Sequence, residues 1–242
     1  MASIDKKKVY KKDEEKNYVW IAYRTLALPF IKFFMNTKIT PNAITITGAI
    51  ISFISVLLFY LNLGLGYDIL AFFIYQFSII FDFCDGSIAR LKKMSSVFGH
   101  FLDGILDTYR YFFLHFAVVL RVFTTYHDVT IFYFFALYLL ADSLVATTGN
   151  LRLIYSKNDK EKIKVKNVIK PMNMMFKPIM IIFNNINTLF DIFFSVLFIL
   201  VNFSPLYVKL FFVVLIGASM IQHFAGSLVF YKIFRKEEFP EE

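Results

Sequence analysis

Six long apolar stretches constrain this chain more than anything else in it; they lie at roughly 41–63, 67–87, 99–122, 131–151, 179–201 and 206–231. Crossing the hydrocarbon core of a bilayer takes about 20 helical residues, and each stretch is long enough. Soluble domains average about 45–50% apolar residues; this 242-residue chain is 58% hydrophobic, and the six stretches account for the excess. The first 16 residues are rich in Lys and Glu and lack an apolar core, so no cleavable signal peptide is expected. The pattern predicts an all-α integral membrane protein with six transmembrane helices.

Charge placement orients the spans. Of the 26 Lys and Arg, nine fall in residues 1–38, three in the 88–98 turn, eight in the 152–178 loop and three after 231, while the 62–66 turn holds none. The basic residues therefore lie on one side of a six-span chain. The positive-inside rule makes that side, with both termini, cytoplasmic. Topology and anionic headgroups account for these charges, which excludes nucleic acid as a partner. Cys84 is alone, so there is no intrachain disulfide.

Residues 1–16 read as a solvated basic arm. Residues 17–38 hold an apolar segment interrupted by Arg24, Pro29 and Lys32, with Tyr18 and Trp20 near its start. That composition predicts an N-terminal interfacial amphipathic helix rather than a span. Thr40 before Pro41 is a cap followed by a first-turn proline, an ordinary helix start. Residues 39–232 then form one membrane domain, and 233–242 a cytoplasmic tail. The polar 156–177 loop has the pattern of a short surface helix ending at Pro171.

The chemistry concentrates where the second stretch ends, FDFCDGSIAR, and the third begins, GHFLDGILDTYR. Asp82 and Asp85 are three residues apart and Asp103 and Asp107 four apart, so each pair shares a helix face. The intervening turn brings the pairs side by side. One or two aspartates near helix ends serve as caps or solvated charges; four on two adjacent faces do not. A central Asp in a span costs about 2.5–3.5 kcal/mol, less near the interface, and four bare carboxylates repel one another. Two divalent cations remove both penalties, and carboxylate oxygens suit Mg2+ or Mn2+. Gly86, Ala89 and Gly99 allow close approach of helices or ligand.

This run resembles the signature of the CDP-alcohol phosphotransferase (CDP-alcohol phosphatidyltransferase) family, D-x2-D-G-x2-A-R-x8-G-x3-D-x3-D. All eight fixed positions are present within 26 residues: Asp82, Asp85, Gly86, Ala89, Arg90, Gly99, Asp103 and Asp107. The resemblance extends to Thr40, Pro41 and Asn42, to the six-span layout and to the interfacial helix, and weakens beyond about 155. It implies a two-metal centre held by Asp82, Asp85 and Asp103, with Asp107 touching the second metal and acting as general base. It implies CDP contacts from Gly86, Arg90 and Ser96, and from Asn42, Ala43, Ile44 and Thr45. The implied reaction moves a phosphatidyl-type group from a CDP-linked diacylglycerol or archaeol to a hydroxyl acceptor, releasing CMP, in a homodimer in a prokaryotic cell membrane.

The acceptor is thinly specified. Arg152, at the end of the fourth stretch, is the main candidate to bind it. Relatives that take inositol phosphate carry a Lys-x-Arg pair there, whereas this chain has Asn150-Leu151-Arg152. The Arg that often follows the last aspartate is replaced by Thr108. Arg110 lies about 16 Å into the third stretch and Asp142 about 15 Å into the fourth, at 1.5 Å per residue. Matched depths favour an Arg110–Asp142 ion pair; the functional alternative is that Arg110 orients the acceptor. His100, Gln222 and His223 read as helix-packing hydrogen bonders.

Three other classes compete. An aminoalcohol phosphotransferase would take CDP-choline or CDP-ethanolamine with diacylglycerol, but such relatives are longer. An intramembrane prenyltransferase also uses aspartate pairs, in two well-separated loops rather than one cluster. An ion transporter needs no Gly86-x2-Ala89-Arg90 run.

Overall fold

The computed structural model describes residues 18–156 and 194–238, and among these every regular element is helical. In chain order they are α1 (Tyr18–Met35), α2 (Pro41–Tyr60), α3 (Leu65–Leu91), α4 (Val97–Tyr126), α5 (Thr130–Ser156), a 3-10 turn (Phe194–Val196), α6 (Leu197–Leu200) and α7 (Pro205–Glu238). The chain forms two compact units, Met1–Asp128 with Thr188–Val208, and Val129–Asn187 with Lys209–Glu242. The first carries all the chemistry described below.

Among the described residues, four helices are long and apolar enough to cross a membrane: Pro41–Tyr60, Leu65–Leu91, Thr130–Thr148 and Pro205–Phe224. The 30-residue α4 is long enough, about 45 Å at 1.5 Å per residue, but Asp103, Asp107, Arg110 and Arg121 along it lower its apolarity. The expected fifth span falls mostly outside the described residues, as do the basic arm, the 157–177 part of the loop and the end of the tail.

Local chemistry explains the boundaries. Thr40 caps α2, its hydroxyl accepting from the Ala43 N–H at 3.3 Å, with Pro41 in the first turn. Ser96 caps α4 by accepting from the Gly99 N–H at 2.9 Å. Asn62, Lys93 and His127, which follow α2, α3 and α4, all have positive φ. A left-handed residue just past a helix turns the chain out of it.

α1 docks on α3. Ala27, Ile31 and Phe34 form a buried cluster with Ile44, Cys84 and Ile88. Tyr23 stacks on Phe83, and its hydroxyl donates to Gln76 Oε1; Gln76 in turn donates to Ser195 Oγ at 2.9 Å. At the corner, Lys92 Nζ donates to the carbonyls of Thr37 and Ile39 at 2.8 and 2.9 Å, fastening the α1–α2 link to the end of α3. α2 and α3 meet at Gly48, where an added Cβ would come within 3.2 Å of Phe81 Cβ. A small residue lets these two backbones close up.

Candidate active site

Two helices deliver the signature residues to one place, and a third braces them. Asp82 and Asp85 come from the last turns of α3, and Asp103 and Asp107 from the first turns of α4. Asp82, Asp85 and Asp103 each offer a carboxylate oxygen, and these oxygens lie within 4.8 Å of one another. Asp85 is 5% exposed, and α2 holds it: Thr45 Oγ1 donates to Asp85 Oδ2 at 2.5 Å. The other oxygen, Oδ1, accepts from the Gly86 N–H. This carboxylate is fixed before any ligand arrives. The donor set is all carboxylate oxygen, without thiol or imidazole, which fits a hard divalent cation.

Asp107 lies beside that trio, its side chain hydrogen-bonded to Asp82. Arg110, one turn further along α4, donates from Nη2 to Asp107 Oδ1 at 2.8 Å, and its Nη1 lies 3.5 Å from Asp82 Oδ1. The guanidinium is 5% exposed, and its Nε has no hydrogen-bond partner among the described residues. Residues three apart on one helix face meet directly, so Arg110 has carboxylate partners on its own helix and on α3; the expected Arg110–Asp142 pair would join the two units. A shallow cleft, partly open to solvent, is lined by Thr45, Gly48, Asp82, Leu106, Asp107 and Arg110 among others.

The residues expected to contact CDP divide. Gly99 has Asn42 and Ser96 against it: an added Cβ would lie 2.8 Å from Asn42 Oδ1 and 3.1 Å from Ser96 Oγ. Arg90 lies beside Gly86, with Nη1 3.5 Å from where a Gly86 Cβ would be. Ala43 is exposed and Thr45 is engaged with Asp85. Ile44 departs from expectation, since its side chain lies in the α1–α3 core, 1% exposed. The Arg152 side chain lies outside the described residues. His223 makes the expected packing bond, to the Leu144 carbonyl at 3.1 Å, while His100 and Gln222 are exposed.

Arg24 is the site-adjacent residue that sequence reasoning passed over. It is buried on α1 and donates to Ser87 Oγ at 3.0 Å, and Arg90 donates to the same oxygen at 3.4 Å. Ser87 completes its bonding by donating to the Phe83 carbonyl at 2.9 Å. A basic residue interrupting an apolar interfacial helix was the available signal.

Comparison with known proteins bears on this arrangement. The family model for CDP-alcohol phosphatidyltransferase matches residues 38–215. The chain belongs to that family. The family consists of transferases that use divalent metal, in keeping with the carboxylate trio. A protein of Aquifex aeolicus (strain VF5), described as uncharacterized, is 33% identical over 88 residues. That match covers 36% of this chain and 42% of the Aquifex protein. Family membership sets aside the prenyltransferase and transporter readings.

Proposed function

We propose that this CDP-alcohol phosphatidyltransferase moves a phosphatidyl-type group from a CDP-linked lipid, diacylglycerol or archaeol, to the hydroxyl of a polar alcohol or polyol (phosphate), with release of CMP. The observation that carries the reading is the gathering of Asp82, Asp85 and Asp103 with Asp107 alongside, on a run that keeps all eight signature positions. In this reading the four aspartates hold two divalent cations, Mg2+ or Mn2+, which supply charge neutralisation at the pyrophosphate and the leaving CMP. Asp107 takes the proton of the acceptor hydroxyl. The acceptor oxygen bonds to the β-phosphorus as the bond from that phosphorus to the CMP oxygen breaks. Gly86, Arg90, Ser96 and the 42–45 segment seat the CDP, with Arg90 steadied through Ser87. Positioning and charge stabilisation do most of the work, as in other phosphoryl transfers.

The acceptor side rests on fewer groups. Arg110 is already engaged by two aspartates, so Arg152 is the better candidate for binding a polar acceptor. We place the active site and both termini on the cytoplasmic face of a prokaryotic cell membrane, in a homodimer. We count α4 as a span, because its two buried arginines are each paired with aspartate. With the 179–201 stretch read as a span from the sequence, that makes six.

The test is a substrate screen with purified protein and Mg2+ or Mn2+. CDP-diacylglycerol is offered with inositol phosphate, glycerol phosphate, serine or inositol, and CMP and lipid product are read. CDP-choline or CDP-ethanolamine with diacylglycerol is the opposing arm. CMP release in that arm alone makes the chain an aminoalcohol phosphotransferase instead. Asp107→Asn is expected to retain CDP binding and lose turnover; wild-type turnover from it would remove Asp107 from the role of base.

A further inference from the structure

The face that α1 turns to α3 is apolar at Ala27, Ile31 and Phe34, all buried. One turn earlier, in the same three- and four-residue rhythm, that face holds Arg24, 5% exposed. An apolar side chain would extend the dock at no electrostatic cost, whereas a buried guanidinium gives up much of its hydration. The dock is already fastened by the Ala27, Ile31 and Phe34 cluster, by the Tyr23–Phe83 stack and by the Tyr23–Gln76 bond. Packing alone does not select an arginine here.

What Arg24 reaches is the Ser87 hydroxyl. Its Nη1 donates to Ser87 Oγ at 3.0 Å, and Arg90 Nη2 donates to the same oxygen at 3.4 Å. The hydroxyl proton goes to the Phe83 carbonyl at 2.9 Å. A serine hydroxyl has one proton and two lone pairs, so Ser87, itself fully buried, is saturated. Its two lone pairs serve two guanidinium groups, one from α1 and one from α3. Arg90 is thereby laid back over its own helix, with Nη1 beside Gly86. We propose that Arg24 is a positioning residue for the nucleotide seat. Through Ser87 it holds the Arg90 guanidinium against Gly86 in the orientation that receives CDP, so the interfacial helix takes part in substrate binding without touching the substrate. The inference rests on the proposed role of Gly86 and Arg90 in seating CDP.

The bond from Arg24 is charge-assisted and comes from a rigid fork, so it fixes the Ser87 rotor and with it the direction of the second lone pair. Without it the hydroxyl is free to turn among the carbonyls of its own helix, and Arg90 loses its rest. The first test is Arg24→Met, which keeps an unbranched stem in the dock and removes the donor. The KM for CDP-lipid should rise by about fivefold, the scale of one lost hydrogen bond. kcat should hold, because a contact made equally in the ground and transition states sets KM alone. Thermal stability should hold as well, since methionine fills the dock without a buried charge. A residue that only fastens α1 gives the reverse, a fall in stability at wild-type KM. An unchanged KM overturns the proposal whatever the stability does. Arg24→Lys restores a charged donor without the planar fork and should bring KM part of the way back.

A double-mutant cycle with Arg90 locates the effect. Arg90→Gln alone should raise KM, and Arg24→Met added to it should raise KM no further. The same rise in both backgrounds means that Arg24 acts without Arg90, and the proposal fails. If Arg24→Met does not fold, Arg24→Lys decides in its place: a raised KM at wild-type kcat supports the proposal, and a wild-type KM overturns it. Arg90→Gln also separates this inference from the reading beneath it. A KM raised in Arg90→Gln but not in Arg24→Met removes the role of Arg24 alone. A wild-type KM in Arg90→Gln removes the CDP seat, and this inference with it.

Discussion

α3 carries charge at both ends, and its two ends are built differently. Near its start Asp68, fully buried, pairs with Arg121 of α4 at 3.1 Å and accepts from Asn202 at 2.7 Å. Arg121 also donates to the Phe59 carbonyl at 2.9 Å and lies over the Phe59 ring, which stacks on Phe198. Near its end, four aspartates gather, and the buried Arg110 guanidinium pairs with two of them, Asp82 and Asp107. About 21 Å of helix separates Asp68 from Asp82 at 1.5 Å per residue. The first cluster matches one carboxylate to one guanidinium inside a wall of aromatic rings; the second gathers carboxylates in excess beside an open cleft. A matched buried pair specifies packing, whereas an excess of one sign in a cleft is the arrangement of a site that receives a ligand.

The contrast can be broken at either end. The largest effect is expected at the carboxylate end: Asp103→Asn should cost turnover by about 10²–10⁴-fold, the scale on which a misplaced catalytic constellation is felt, with little loss of thermal stability. A large loss of stability instead would make the two ends alike. Next in size is Arg121→Met, which leaves Asp68 as an uncompensated buried charge. Breaking such a pair costs about 3–5 kcal/mol, so thermal unfolding in detergent should fall sharply, with turnover per folded molecule retained. The Asp68→Leu/Arg121→Met double variant should recover most of that loss, because an apolar replacement of a whole buried pair is often neutral. Failure to recover would mean that the cluster does more than pack. The smallest effect is expected at Ser87→Ala. Losing a shared hydrogen-bond acceptor costs about 1 kcal/mol, read as a several-fold rise in KM for CDP-lipid through Arg90 and no change in metal requirement. An unchanged KM would confine Arg24 and Ser87 to fastening α1.

The same two ends show what was legible in the sequence. The carboxylate end could be read because its spacing is local: pairs three and four apart on helices joined by a short turn must share faces and meet. The Thr40 and Ser96 caps lie within that reach. The Asp68–Arg121–Asn202 cluster could not be read, because its partners lie 53 and 134 residues apart. Only the packing of α3, α4 and the 194–204 segment brings them together. The Arg110–Asp107 contact, one turn along α4, lay equally within the reach of local spacing. α4 falls short by hydropathy because each charge is scored as though it stood alone, while Arg110 and Arg121 are paired with aspartates. The core position of Ile44 follows from which face of α2 meets α1, a choice that composition does not dictate.

The turn between α3 and α4 has a further consequence. Lys92 clasps the Thr37 and Ile39 carbonyls, Lys93 ends α3 in the left-handed region, and Ser96 starts α4. All four aspartates of the candidate site hang within a few helical turns of that single bend. Their mutual distances are therefore set by one corner of the chain and not by the thickness of the lipid around it. A bilayer that is too thick or too thin would be accommodated at the opposite ends of these helices, around Asp68 and Arg121, where a mismatch costs fractions of a kcal/mol per Å. Across vesicles of increasing acyl-chain length, thermal stability should vary while the turnover of the folded enzyme stays level. The enzyme would then work unaltered in a membrane whose composition its own product changes.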